Sequence, residues 1–387
     1  MKKIAIVHDW FTTFAGSEKV IQQLLQLYPQ AALFSLIDFL PPKDRALLND
    51  VPIRTSFLQQ MPLVAKHYRL YLGLMPLAIE RLDVSGYDLV ISNCHAVSKG
   101  VRTQPHQLHI SYIHTPIRYA WDMQDEYLSV SGLRGLKGLA ARALLTYIRG
   151  WDVQAAQRPD VLVASSAFVA GRIVQHYRRS ASVIHPPVDT DYFTPGSARE
   201  DFYLAAGRLV PYKRMDLIAQ AFRSMPDKKL VLIGDGPDAP KVKALCGSNV
   251  TWLGYQPDDV LREHLRRCKA FVFAAKEDFG ILPLEAQACG TPVLAYGEGG
   301  ARETLIPLGP GQAHPTAIHY PQQTPAHIRA AVLEFERDPE RFSPAACRKN
   351  AERFASERFR AQFGGFVQSA WNGFVTNAQR RGAVPAP

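Results

Sequence analysis

Two glutamates, Glu277 and Glu285, stand with seven residues between them in AKEDFGILPLEAQAC, residues 275–289. The apolar run before Ala275 reads as a strand. The residues from Ile281 read as a helix with Pro283 in its first turn, where a missing N–H is tolerated. Glu277 then lies in the loop at the strand's carboxyl end, and Glu285 just over one turn into the helix. Phe279 and Gly280 offer backbone N–H groups at the helix start, a terminus that favours a phosphate or another anion. The two carboxylates can accept hydrogen bonds from sugar hydroxyls. The spacing alone also fits a helix-capping Glu277 and a solvated Glu285. The surrounding DFG, PLEA and ACGTPV, with the glycine loop at 297–300, make the pattern far more specific.

Three further segments carry candidate chemistry. In GRLVPYKR, residues 207–214, Arg208 follows a strand directly and Lys213 stands five residues on, near a helix start. Two cations on one strand-end loop can clamp a pyrophosphate, arginine as a bidentate fork and lysine as a point charge. A solvated basic turn is the other reading. In SYIHTPIRYAWD, residues 111–122, His114 ends a strand, with Tyr112, Arg118, Tyr119, Trp121 and Asp122 around it. In DWFTTFAGSEK, residues 9–19, Gly16 permits close backbone approach to a ligand. Glu18 there reads equally as a helix start near the site or as part of a structural turn.

These segments need elements to position them. KIAIVHD reads as a buried strand followed by a glycine-containing turn and an amphipathic helix near residues 17–27, the opening of a Rossmann-like unit. Further buried strands are predicted at 32–37, 87–92, 108–114 and 161–164. The scheme repeats at 201–207, 229–236, 250–253, 270–274 and 292–295, with helices from about 215, 238 and 281. Alternation of this kind implies parallel sheets with right-handed crossovers. Between the halves, HPPVDTDYFTPG at 185–196 reads as a linker. Asp189 and Asp191 have the D-x-D spacing of a metal site but fall in that linker. Aromatic residues at helical spacing from Phe359 to Phe374 read as packing for the last helices.

Residues 275–289 resemble the E-x7-E signature of glycosyltransferase family 4, retaining enzymes of the GT-B fold, and the resemblance runs over nearly the whole chain. It implies an α/β chain of two Rossmann-like domains whose parallel sheets face a central cleft. The acceptor-binding domain would span 1–188 and the nucleotide-sugar-binding domain 189–360. A C-terminal helix at 361–387 would pack back on the first domain. By the same resemblance Glu277 contacts the donor sugar, Glu285 the ribose, and Phe279, Gly280 and Ile281 lie along the sugar and phosphates. Arg208 and Lys213 bind the diphosphate and stabilise the leaving group, so no metal and no cofactor is expected. His114 contacts the donor sugar near its reacting face. Gly16 lies near the donor diphosphate, Gly254 and Tyr255 near the base, and Tyr112, Arg118 and Tyr119 toward the acceptor.

HDW with AGSEK, then MPLAIERLDVSGYDLVISNCHAVSKGV and HTPIRYAWD, resemble a subgroup that includes GDP-mannose-dependent mannosyltransferases of bacterial O-antigen, lipopolysaccharide and exopolysaccharide assembly. That implies a hexosyl transfer from GDP-mannose to a lipid-linked saccharide. GDP-rhamnose or a UDP-sugar as donor, or a non-catalytic sugar-nucleotide-binding subunit, remain the alternatives. No GxGxxG follows the first strand, which argues against a Rossmann dehydrogenase.

The bulk numbers bound this reading. At 387 residues with 47% hydrophobic and 21% charged side chains, the chain suits two or three globular domains. Five scattered cysteines form no CxxC pair, so neither a zinc site nor a disulfide framework is expected. The net charge of +10 favours anionic partners, yet no nucleic-acid-binding motif is present. No run of about 18 apolar residues could span a bilayer, so the expected location is cytoplasmic, peripheral on the inner face of the cytoplasmic membrane. Two basic, apolar segments, 57–81 and 133–149, fit an anionic membrane surface or core helices with one solvated face.

Overall fold

The computed structural model describes residues 2–122, 124, 135–196 and 198–380. The chain divides into two units, Met1–Pro187 with Phe359–Pro387, and Val188–Arg358.

The first unit is built on seven parallel strands, β1 (Ile4–His8), β2 (Ala32–Ser35), β3 (Ile53–Thr55), β4 (Leu89–Cys94), β5 (Leu108–Ile113), β6 (Val161–Ala164) and β7 (Ser182–Val183), ordered β3-β2-β1-β4-β5-β6-β7. Its central strands are buried on both faces, which is why they read as unbroken apolar runs rather than alternating ones. Ile6 pairs with Ile91 and Ile91 with Ile110, so one row of isoleucines crosses the sheet. The helix Gly16–Leu27 turns Val20, Ile21, Leu24 and Leu25 inward, each essentially free of solvent. Such burial stabilises by roughly 2 kcal/mol per side chain. Phe359, Phe363 and Val367, from the helix Ser356–Arg380, complete this core beside Tyr112. Arg360 fastens that helix to Gln26 at 2.7 Å.

The second unit has six parallel strands, β8 (Tyr203–Ala206), β9 (Leu230–Ile233), β10 (Val250–Trp252), β11 (Phe271–Phe273), β12 (Val293–Tyr296) and β13 (Ala317–Tyr320), ordered β10-β9-β8-β11-β12-β13. The helix Met215–Arg223 buries Leu217, Ile218, Ala221 and Phe222 against one face of the sheet. The helix Ile281–Ala288 buries Leu284, Ala286 and Ala288 on the other.

Three strands escape the sequence reading, and all lie at sheet edges. β3 and β7 are short and partly exposed, so they lack a long apolar run. β13 follows PLGPGQAHP, whose glycines and prolines mask it. The segment read as a linker is also more structured than expected. Val188 donates to the Phe354 carbonyl at 2.9 Å, Phe193 is core, and Arg348 holds the carbonyls of Thr190 and Phe193 at 2.7 Å each. Asp189 caps this turn through the Tyr192 N–H at 3.0 Å.

All five cysteines are free thiols. Burial pushes Cys94 up to about 11, and Cys268, Cys289 and Cys347 up to about 12; Cys246, half-buried, is raised too. No helix among the described residues is long and apolar enough to cross a membrane.

Candidate functional site

In an open parallel sheet, ligands bind beyond the strands' carboxyl ends where the winding direction reverses. In the second unit this point lies between β8 and β11. The loop after β8 carries Arg208 and Lys213, and the loop after β11 carries Glu277 to Gly280. Lys213 Nζ donates to Glu277 Oε1 across the junction, with each side chain 16% exposed. Lys213 also lies 6.0 Å from the Phe273 ring centroid, so its charge sits against the strand end rather than in open water. Arg208 is exposed one residue past Gly207. The residues predicted as a clamp and a sugar contact therefore meet at one strand-end junction.

The glycine loop after β12 has a steric reason. A Cβ on Gly299, whose φ is +72°, would come within 2.3 Å of the Glu277 carbonyl oxygen, and one on Gly300 within 2.4 Å of Phe279 backbone. The absent side chains let the two loops lie in contact: Gly300 N–H donates to the Glu277 carbonyl at 2.8 Å, and Glu277 pairs with Gly299 as a one-residue parallel bridge. Gly280 caps the helix Ile281–Ala288 from a left-handed conformation, φ +88°. Phe279 is buried edge-on to Phe354 at 5.6 Å, Ile281 is half-buried, and Glu285 is 5% exposed on the same helix. Past β10, Gly254 accepts from the Gly234 N–H at 2.7 Å and Tyr255 stands exposed. The β10, β8, β11 and β12 loops line one edge of the sheet in that order.

In the first unit the winding reverses between β1 and β4. Asp9, just past β1, accepts from the backbone N–H groups of His95, Ala96, Val97 and Ser98 at 2.6–3.0 Å. Burial alone would raise its pKa; the charges of His95 and His8 and the N–H bonds outweigh burial and lower it. His8 is fully buried and would be driven neutral, but its bond to Glu18 (Nε2 to Oε1, 3.1 Å) and the Glu18 charge raise its pKa instead. Its Nδ1–H donates to the Asn93 carbonyl at 3.0 Å. Asn93 Nδ2 donates to the Ser17 carbonyl at 2.9 Å, which turns Asn93 Oδ1 toward His114 Nε2 at 2.7 Å. His114 therefore carries its proton on Nε2 and leaves Nδ1 as an acceptor. Burial, with the neighbouring charges of His95 and His8, pushes its pKa down to about 3, so the ring is neutral near pH 7.

His8, Asp9 and His95 bring three ligand-type atoms within 4.8 Å, a spacing a cation could use. Both His8 nitrogens are engaged by Glu18 and Asn93, and each Asp9 oxygen already takes two N–H bonds. This donor set does not fit a resident metal.

Gly16 begins the helix Gly16–Leu27, and Glu18 reaches back to the Ala15 N–H at 2.9 Å, so Glu18 serves as a cap and as the partner of His8. Arg118 and Tyr119 are half-buried in the turn after β5. Tyr112 is a core residue: fully buried, its hydroxyl donating to the Ile184 carbonyl at 2.9 Å. That position does not present it to an acceptor, a correction to its place beside Arg118. The strand period explains this, since its ring points into the sheet face covered by Phe359 and Phe363. His8, Asp9, Asn93 and His95 were not singled out from sequence as site residues. Their signal was polar residues ending otherwise apolar strands, IAIVHD and LVISNCH.

Residues 193–354, within the second unit, match the family described as Glycosyl transferases group 1. The chain is 34% identical over 187 residues to a D-inositol 3-phosphate glycosyltransferase of Geodermatophilus obscurus, covering 40% of this chain and 42% of that one. It is 29% identical over 178 residues to a GDP-mannose-dependent alpha-(1-6)-phosphatidylinositol monomannoside mannosyltransferase of Mycolicibacterium smegmatis, covering 38% and 47%. The match thus spans under half the length of these curated relatives. Among solved structures, sucrose-phosphate synthase from Thermosynechococcus elongatus superposes with a TM-score of 0.72 at 16% identity, covering 96% of this chain and 100% of that one. HepE of Anabaena, in complex with UDP and glucose, superposes at 0.65 with 19% identity, covering 95% and 100%. At such identities these likenesses show the fold, and with two parallel-sheet units it is the GT-B fold expected from sequence.

Proposed function

We propose that this chain is a retaining hexosyltransferase that takes mannose from GDP-mannose and delivers it to a lipid-linked saccharide at the inner face of the cytoplasmic membrane, in surface-polysaccharide assembly. The observation that carries transfer from a nucleotide sugar is the meeting of Lys213 and Glu277 across the β8–β11 junction, beside Arg208 and the helix start at Gly280. The matched family and the relative named for GDP-mannose support the donor class.

In this reading the bond from the anomeric carbon to the diphosphate oxygen breaks, and its electron pair leaves with GDP. Arg208, Lys213 and the N–H groups at Gly280 meet the charge that develops there. The acceptor hydroxyl oxygen bonds to the anomeric carbon on the same face, and its proton passes to the departing phosphate oxygen. Glu277 orients the sugar, Glu285 the ribose, and neutral His114 offers Nδ1 to a sugar hydroxyl. Gly16 lies near the diphosphate, Gly254 and Tyr255 near the base, and Arg118 and Tyr119 toward the acceptor. Cationic side chains supply the positive charge, so turnover is expected to survive a chelator.

A panel of GDP- and UDP-sugars, assayed for turnover with the product linkage read by NMR, tests the reading. Retained configuration with GDP-mannose preferred is the expected result. Preference for GDP-rhamnose or a UDP-sugar would shift the donor, an inverted product or a trapped glycosyl adduct would remove the mechanism, and binding without turnover with any sugar would leave a scaffold subunit.

A further inference from the structure

The first unit carries an apolar, basic face outside the candidate site. Of twelve large hydrophobic side chains exposed among the described residues, seven fall within 57–77 and 139–147. Scattered exposed leucines need no explanation, but a concentration does. Neither surrounding segment holds an acid: residues 51–79 contain Arg54, Lys66, His67 and Arg69, and residues 133–151 contain Arg134, Lys137, Arg142 and Arg149. Arg134 lies outside the described residues.

The two segments are in contact. A Cβ on Gly73 would lie 3.1 Å from Leu144 Cδ1, so the 3-10 turn Tyr68–Leu74 rests on the helix Gly135–Ala155. Lys137 and Tyr147, seven residues before Leu144 and three after it, share its helix face and are exposed. Beneath the turn, Tyr71 donates to the Pro62 carbonyl at 2.6 Å and the Tyr68 ring lies 5.3 Å from Trp10. Leu70 is left 80% exposed. Leu63, 73% exposed, precedes the helix Val64–His67 in a left-handed conformation, φ +55°, that leucine ordinarily avoids. The acids that follow each segment turn away from it. Glu80 is engaged by Arg102, Arg158 and Trp151, and buried Asp152 by Lys99, Trp121 and Tyr177.

We propose that this face docks on an anionic lipid surface, with Leu63 and Leu70 entering the acyl boundary and Lys66, Arg69 and Lys137 meeting the headgroup phosphates. Side chains this exposed protrude instead of lining a groove, which suits a fluid bilayer better than a peptide. Cations on both segments, with no acid within either, complement a negative surface. The purpose of the docking, reaching a lipid-borne acceptor, rests on the function proposed above; the surface itself does not.

The test is co-sedimentation of the full chain with vesicles of phosphatidylcholine alone and of equal parts phosphatidylcholine and phosphatidylglycerol, in low and high salt. Salt-sensitive binding to the anionic vesicles only is expected. Leu63→Ser with Leu70→Ser, and separately Lys66→Glu with Arg69→Glu, should each weaken it on the order of tenfold or more, whereas Leu333→Ser in the second unit should not. Circular dichroism checks that each variant is folded. No binding, or binding unchanged in both double variants, overturns the proposal. So does a concentration-dependent dimer that the leucine variants dissolve without any vesicle binding, which would make the face a contact between copies. Sugar transfer to a soluble acceptor analogue, run in parallel, keeps this outcome separate from the fate of the proposed activity.

Discussion

Lys213 and Glu277 pair in the structure, so in the proposed function a donor diphosphate would have to compete with the Glu277 carboxylate for the same ammonium. Glu277→Gln removes the competitor but also the carboxylate proposed to orient the sugar. Its affinity for GDP alone, read by calorimetry, is expected to be equal or tighter, while kcat falls about 10²-fold or more; a loss of GDP affinity equal to the loss of kcat would contradict the division of roles. The His114 tautomer gives a second residue-scale outcome. In Asn93→Asp the acceptor oxygen remains but a negative charge arrives, so the His114 pKa should rise from about 3, as followed by imidazole NMR. A His114 titration unchanged in that variant would show that Asn93 does not set it. The placement of Arg208, Lys213, Glu277 and Glu285 was legible because each lies in a local pattern of strand, loop and helix start. Asn93 was not, because its ties to Ser17 and His8 cross about 80 residues of sequence and exist only once β1 and β4 pair.

Among the elements, the loop after β4 is closed by a side chain from the end of β1. Asp9→Ala would leave the four N–H groups of residues 95–98 without their charged acceptor. The expected cost is roughly 3–5 kcal/mol, seen as a lower urea midpoint, with Asp9→Asn intermediate. Equal stability of Asp9→Ala and the parent would mean water replaces the carboxylate. The central strands were readable from the sequence because burial on both faces leaves a continuous apolar run. The edges were not: β3, β7 and β13 take their strand character from a neighbour already in place, and a two-residue element such as β7 has no period of its own. Residues 188–193 lie in the stretch read as a linker, where the division between the units also falls, and only their packing escaped the sequence, for a related reason. Prolines and aspartates announce a turn, but nothing local announces that Arg348 will hold its carbonyls.

At the scale of the whole molecule, the buried histidines couple stability to acid. His109 is fully buried, with Nε2 2.9 Å from Ser92 Oγ, and burial, with Arg179 and Arg158 nearby, lowers its pKa from 6.5 to about 3. The unfolded chain then takes up this proton first. Stability from His109 is full above about pH 6.5 and is lost as pH falls toward 3, by about 1.4 kcal/mol per pH unit. Thermal melts between pH 7 and pH 4 should show this slope, and His109→Gln should flatten it by about one proton; an identical slope in the variant would sink the assignment. His8, with its raised pKa, acts oppositely, stabilising at low pH and losing that contribution as pH rises through its folded value. The native thiols have a different use. Four are buried and all five are held above their ordinary range by burial, so at neutral pH they form little thiolate and react slowly. The chain is in effect a cysteine-silent background. One exposed cysteine placed at Leu333 would take a maleimide fluorophore selectively, without first stripping the natural sulfurs, and would make the second unit a site for single-molecule work.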